Sequence, residues 1–190
     1  MICSYIPTCI IIQRRIKSSN DVVNNATHQM IMFHHIHDFL RMECYNGCRE
    51  EEFPNILFAP DGDIYTIEGM SYLVIGGAHS VDKHYRLSRR YAWWADEQPS
   101  DETKTYVEKQ IAEKHFDVIL SHTCPYKYEL REMFLPMIDQ STVDASTELW
   151  LDTIEESVDY RAWLCGHWHT DKRIDKMHFL FHEFESAHQF

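Results

Sequence analysis

Two short apolar segments of this chain run directly into histidines. Residues 118–120 lead into His122, and residues 162–165 lead into a Gly-His-Trp-His sequence that ends at His169. Short apolar runs predict buried strands, and the carboxyl ends of strands in an α/β sheet meet at one edge. We therefore expect the imidazoles of His122, His167 and His169 to converge at one edge of a sheet.

The rest of the chain alternates between strand-like and helix-like patterns. The Asp61-Gly62 pair lies between two apolar runs and predicts a hairpin of residues 56–58 and 64–67. Alternating strands and helices favour an α/β fold in which the helices lie outside the sheet. The other predicted strands are 72–75, 118–120, 162–165 and 177–184, and the predicted helices are 29–44, 101–114 and 146–157.

The histidines that follow the strands are candidate metal ligands. Imidazoles combined with carboxylates suit Mn, Fe, Zn or Ni better than Mg or Ca. Gly166 gives the backbone freedom for a sharp turn where His167 leaves its strand. Such a turn can direct His167 and His169 toward two neighbouring ions. The alternative interpretation is a set of partly exposed histidines that bind nothing.

Composition limits the classes of function. The 190 residues have the length of one domain, and 18 Lys and Arg against 30 Asp and Glu give a net charge of −12. This charge argues against general nucleic-acid binding, which needs a basic face. No apolar run reaches the roughly 20 residues of a membrane span. The six cysteines form no dense framework. We therefore expect a cytoplasmic protein with no membrane partner.

Three sequence motifs make the pattern more specific. They are residues 76–83 (Gly-Gly-Ala-His-Ser-Val-Asp-Lys), 121–125 (Ser-His-Thr-Cys-Pro) and 166–169 (Gly-His-Trp-His). In this order and spacing, the C-terminal three-quarters of the chain resembles the calcineurin-like metallophosphoesterases, particularly bacterial and phage-type members. The resemblance implies a layered αββα sandwich in residues 49–190, incomplete at its N-terminus. A divergent segment, residues 1–48, precedes it and carries one predicted helix.

The resemblance also implies a site and a reaction. Members of this family hydrolyse phosphomonoesters or phosphodiesters with a hydroxide activated by two divalent ions about 3.5–4 Å apart. In this chain His122 and His167 would bind one ion and His169 the other. Mn is the expected metal, with Fe, Zn or Ni as alternatives, and the partner is a phosphoester substrate.

The chain lacks the N-terminal motifs of that family. The Asp-x-His, Gly-Asp-x-x-Asp and Gly-Asn-His sequences are absent at the expected positions, and with them the carboxylate that bridges the two ions. We therefore expect at most one ion to bind well and hydrolysis to be weak, as in a truncated enzyme. The alternative is a non-catalytic binding or scaffold protein that retains the fold. Without N-terminal strands, apolar edges or faces of the strands that end at Ile75, Leu120 and Cys165 would be exposed. We therefore expect either self-association or marginal stability.

Overall fold

The computed structural model describes residues 48–49, 57–67, 69–91, 93 and 95–182. The predicted helix 29–44 and almost all of the predicted N-terminal segment 1–48 lie outside these residues. The described strands are β1 (Cys48–Arg49), β2 (Leu57–Phe58), β3 (Ile64–Ile67), β4 (Met70–Ile75), β5 (His115–Ser121), β6 (Asp159–Cys165), β7 (Lys172–Ile174) and β8 (Met177–Phe179). The described α-helices are α1 (Lys83–Arg89), α2 (Asp101–Ile111) and α3 (Ser146–Ser157).

Six of the described strands form one mixed sheet in the order β3-β4-β5-β6-β8-β7. Strands β4, β5, β6 and β8 run parallel, and β3 and β7 pair antiparallel at the two edges. The predicted α/β class is confirmed, since strands 72–75, 118–120 and 162–165 lie within β4, β5 and β6. The predicted helices 101–114 and 146–157 correspond to α2 and α3.

The predicted hairpin around Asp61-Gly62 is wrong. Strand β2 pairs with β1 in a separate two-stranded sheet, and β3 pairs with β4. The turn is held by the end of β4 instead. The Gly62 N–H donates to the Val74 carbonyl at 2.7 Å, and Asp61 Oδ1 accepts the Gly76 N–H at 2.6 Å. These contacts outside the turn override the local hairpin pattern.

One face of the sheet packs against the helices. Leu73, Ile119 and Trp163 are neighbours on β4, β5 and β6, and each is fully buried. They belong to one apolar cluster with Val107 of α2 and Leu151 of α3, so both helices contribute to this core. The other face carries a second buried cluster, made of Tyr72, Val74, Val118, Leu120, Ala162 and Leu164.

The expectation of exposed apolar edges on β4, β5 and β6 is wrong. Ile75, Leu120 and Cys165 are at most 1% exposed. Each strand has a neighbour on both sides, because β3 pairs with the outer side of β4 and β8 with that of β6. The edges of the sheet are β3 and β7, so the exposed edge from which self-association is predicted does not exist at these strands.

Helix α2 begins with a side-chain cap. Ser100 has an extended backbone, and its hydroxyl oxygen accepts the Thr103 N–H at 3.2 Å. Asp101 and Glu102 occupy the first turn, where negative charge interacts favourably with the helix dipole. The sequence therefore fixes the start of this helix locally.

Replacing Ser100 by alanine is expected to lower the free energy of unfolding by about 1 kcal/mol, because the Thr103 N–H loses its acceptor. Urea unfolding of the wild type and Ser100→Ala measures the loss. Thr105→Ala, at an exposed position inside the same helix, is the control and should not destabilise the protein. A Ser100→Ala midpoint equal to that of wild type would contradict the capping role.

Candidate metal centre

Three parallel strands end side by side at one edge of the sheet. His122 directly follows β5, and its N–H donates to the Ile75 carbonyl at the end of β4 at 3.1 Å. The His122 carbonyl accepts the Gly166 N–H, just after β6, at 3.0 Å. These two bonds fix the His122 backbone between the ends of the neighbouring strands.

The side chains of His122 and His167 are in contact. Nδ1 of His167 lies 3.0 Å from Nε2 of His122. The two rings meet edge to face, with centroids 4.7 Å apart and planes at 80°. The predicted convergence of these two imidazoles at the strand ends is confirmed.

The Gly-His-Trp-His turn holds its histidines in an unusual backbone conformation. His167 has a φ of 63° and His169 a φ of 49°, left-handed values that are rare for residues other than glycine. The Trp168 N–H donates to the Gly166 carbonyl at 2.7 Å and closes the turn. The sequence predicts that Gly166 provides the freedom for this turn, whereas the structure places the left-handed conformations on both histidines. Each costs about 1–2 kcal/mol, and such strain is typical of functional sites.

The imidazole of His167 is neutral at neutral pH. Burial lowers its pKa to about 4, together with the nearby charges of His169 and His79. A histidine binds a metal ion in its neutral form, with a lone pair on the ligating nitrogen. His167 is therefore in the protonation state that a metal ligand needs.

His169 is a neighbour of this pair and has contacts of its own. It is exposed, and its ring stacks on Phe181 with centroids 4.8 Å apart. Within the part of the chain that the structure describes, no three His, Cys, Asp or Glu side chains are grouped closely enough to hold a metal ion. The structure thus joins two of the three predicted ligands, His122 and His167.

A carboxylate–histidine pair follows β4 at the same edge of the sheet. His79 Nδ1 lies 3.6 Å from Oε1 of Glu97, which is 5% exposed. Neither residue is among the ligands predicted from the sequence. His79 comes shortly after a strand, as His122 and His167 do, so the same rule applied to β4 would have found it. No local pattern marks Glu97, because only the path of the chain brings it to His79.

A buried carboxyl group lies beside the loop that follows β5. Glu148, in the first turn of α3, is 6% exposed, and burial raises its pKa to about 7. The charges of Glu129 and Asp144 act in the same direction, and hydrogen bonds that include Thr123 act against it. Burial also raises the pKa of the Cys124 thiol, with Glu148 contributing. Cys124 is therefore protonated at neutral pH and is a poor nucleophile.

Comparisons with known proteins do not identify a family. No family model matches the chain, and neither does any curated protein or solved structure. The metallophosphoesterase resemblance therefore stays a prediction from the motifs. Among the helices that the structure describes, none has the length and apolar character needed to cross a membrane.

Proposed function

We propose that this chain is a weakly active, metal-dependent phosphoesterase of the calcineurin-like type, and that His122 and His167 hold its metal ion. The observation that carries the proposal is the 3.0 Å contact between Nδ1 of His167 and Nε2 of His122. The layered αββα sandwich belongs to the same proposal. It is supported by the mixed sheet with α2 and α3 packed on one face.

The spacing of the two nitrogens fits a shared metal ion. Nitrogens bound at about 2.1 Å to one ion lie about 3.0 Å apart in adjacent octahedral positions and about 3.4 Å apart in a tetrahedron. The observed separation of 3.0 Å matches the octahedral value, and it is also the length of a hydrogen bond between the two rings, which a shared ion would replace. Mn, Fe, Zn and Ni accept imidazole ligands, in agreement with the expected cofactors.

The local structure fixes the positions of both imidazoles and keeps the His167 ring neutral. The backbone bonds from His122 to Ile75 and Gly166 fix the first imidazole at the sheet edge. The left-handed turn directs the second imidazole toward it, and burial keeps that ring neutral. A bound divalent ion would activate water and neutralise charge on the phosphate oxygens of a phosphoester.

Weak rather than efficient hydrolysis follows from the ligand set. Efficient two-metal hydrolysis needs a group that holds both ions at the attacking and leaving oxygens. In the resembling family an Asp-x-His motif supplies that group, and the motif is absent at the expected position in this chain. Two imidazoles from the described residues support one ion, which provides only part of the charge stabilisation.

The proposal predicts that metal binding and hydrolysis depend on the same two histidines. Calorimetric titration of Mn²⁺ and Zn²⁺ into wild type, His122→Ala and His167→Asn should show affinities at least about 10-fold lower in both variants, because losing one of two ligands costs no less than losing a hydrogen-bond partner of a ligand. Turnover of bis(4-nitrophenyl) phosphate with added Mn²⁺ should be slow in wild type and fall further in both variants. Asparagine is used at position 167 because it tolerates left-handed backbone.

The matched control is His84→Ala, at an exposed position of α1. Affinity and turnover in this variant should equal those of wild type. Equal metal affinity in wild type, His122→Ala and His167→Asn would show that these two histidines do not bind the metal ion. Metal binding that depends on both histidines, without any hydrolysis above the buffer rate, would instead support the non-catalytic binding protein.

A further inference from the structure

Phe181 lies at the same edge of the sheet as the candidate metal centre. Strands β5, β6 and β8 are neighbours and run parallel. The Gly166 N–H donates to the His122 carbonyl at 3.0 Å, and the Leu180 N–H donates to the Cys165 carbonyl at 2.8 Å. Backbone pairing therefore continues past the strand ends. Because neighbouring strands lie about 4.8 Å apart, the backbone of Phe181 is about one strand spacing from the turn that follows β6.

Hydrogen bonds to Asp171 fix the backbone that carries the Phe181 ring. Asp171 Oδ1 accepts the Phe181 N–H at 2.7 Å and the His182 N–H at 3.0 Å. Asp171 closely follows His169 in the chain. Its carboxylate therefore connects the segment that leaves β6 with the segment that leaves β8, and it holds Phe181 next to the Gly-His-Trp-His turn.

The ring of Phe181 has fixed neighbours but is not buried. It stacks on the ring of His169, with centroids 4.8 Å apart and planes at 22°. The ring of His182 meets it edge to face, with centroids 4.2 Å apart. Phe181 nevertheless remains 48% exposed. The molecule therefore presents an aromatic ring to solvent in a defined orientation.

This exposure differs from that of an ordinary apolar surface residue. Single exposed apolar side chains are common on proteins and need no explanation. Phe181 is distinguished by the two histidine rings and the carboxylate that position it, and by its place at the edge of the sheet where His122 and His167 meet. A ligand ring can stack on an aromatic side chain held in this way without a further cost of ordering it.

We propose that Phe181, stacked on His169, forms an aromatic platform that binds a flat ring in the organic group of the phosphoester substrate. The proposal rests on the proposed function, since it names the class of phosphoester that the same site binds. His169 supports the ring of Phe181 in this arrangement instead of binding a second ion.

The dimensions of the sheet edge suit such a substrate. A phosphate bound to a metal ion at His122 and His167 would lie about one strand spacing, roughly 5 Å, from the segment that carries Phe181. In aryl phosphates and in nucleotides the aromatic ring lies within several ångströms of phosphorus, so it can reach the platform. Alkyl and sugar phosphates have no ring to stack there.

Paired ligands test the platform by calorimetry with Mn²⁺ present. Phenylphosphonate and methylphosphonate share the group that binds the metal ion and differ in the ring. Wild type should bind phenylphosphonate about 3- to 10-fold more tightly, the range expected for an aromatic contact. This preference should vanish in Phe181→Ala and return in Phe181→Tyr. Leu149→Ala removes a similarly exposed apolar side chain from α3 and should keep the preference.

A second pair, adenosine 5′-monophosphate and ribose 5-phosphate, places the ring farther from phosphorus. A ring preference that depends on Phe181 in the first pair alone identifies aryl phosphoesters as the substrate class. The same result in the second pair alone identifies nucleotides. The backbone amide of His182 provides a readout without activity, because the ring current of a ligand stacked on Phe181 should shift its ¹H–¹⁵N signal. Methylphosphonate and ribose 5-phosphate should not cause this shift.

Two results would overturn the platform and leave the proposed function standing. One is ligand binding that depends on His122 and His167 but shows no ring preference in either pair. The other is a ring preference that survives in folded Phe181→Ala. If light scattering also shows a changed oligomeric state in that variant, Phe181 belongs to a contact between copies of the chain. Absence of phosphonate and nucleotide binding in wild type would overturn both proposals.

Discussion

Glu148→Gln is expected to stabilise the protein by about 3 kcal/mol at pH 8 and to leave its stability at pH 4 nearly unchanged. The carboxyl group has a pKa of about 7 in the folded protein, against 4.5 for an ordinary glutamate, chiefly because it is buried. The folded state therefore binds the proton more tightly than the unfolded state. Its contribution favours folding at low pH and is lost as the pH rises from about 4.5 through about 7. Glutamine resembles the protonated form, so it removes this loss.

Urea unfolding at pH 4, 5.5 and 8 measures the effect as the difference between wild type and Glu148→Gln. Glu156→Gln is the matched control, because it makes the same change at an exposed position of the same helix. Its difference from wild type should be small at every pH. A pH-independent difference between wild type and Glu148→Gln would contradict the raised pKa.

The regular elements were predictable because their signals are local. Apolar runs mark β4, β5 and β6 as buried strands, and the structure buries them on both faces. Ser100 and the acidic residues after it mark the start of α2. The Asp61-Gly62 pair shows the limit of such signals, because bonds to Val74 and Gly76 decide the path of that turn.

The candidate site was predictable only where it depends on strand ends. His122 and His167 follow adjacent parallel strands, so the order of the sheet brings them together. The contact between His79 and Glu97 depends on a loop in which the Glu97 carboxylate accepts the Ser80 N–H and the Trp93 indole N–H, and no periodicity reveals these bonds. The burial of the Glu148 carboxyl group was likewise not predictable from the sequence. A glutamate in the first turn of a helix usually faces solvent, and here packing encloses it.

His167→Asn is expected to remove a second pH dependence of similar size and opposite sign. The pKa of His167 is about 4 in the folded protein, against 6.5 for an ordinary histidine, because burial and the charges of His169 and His79 disfavour the imidazolium. The unfolded chain therefore takes up the proton first. This group's contribution is fully present above pH 6.5 and is lost as the pH falls to about 4, a change of about 3 kcal/mol.

The two groups oppose each other between pH 4.5 and 6.5, since Glu148 favours folding at the acidic end of this range and His167 at the other. In metal-free wild type, these two groups should therefore leave the free energy of unfolding almost independent of pH in this range. Urea unfolding with a chelator present measures it.

In His167→Asn only the Glu148 contribution remains, so the free energy of unfolding should fall as the pH rises. Glu148→Gln should expose the His167 slope, with stability rising. The double variant should be flat again, and His84→Asn, at an exposed position, should behave like wild type. A slope in His167→Asn equal to that of wild type would show that His167 carries the same proton in the folded and unfolded states.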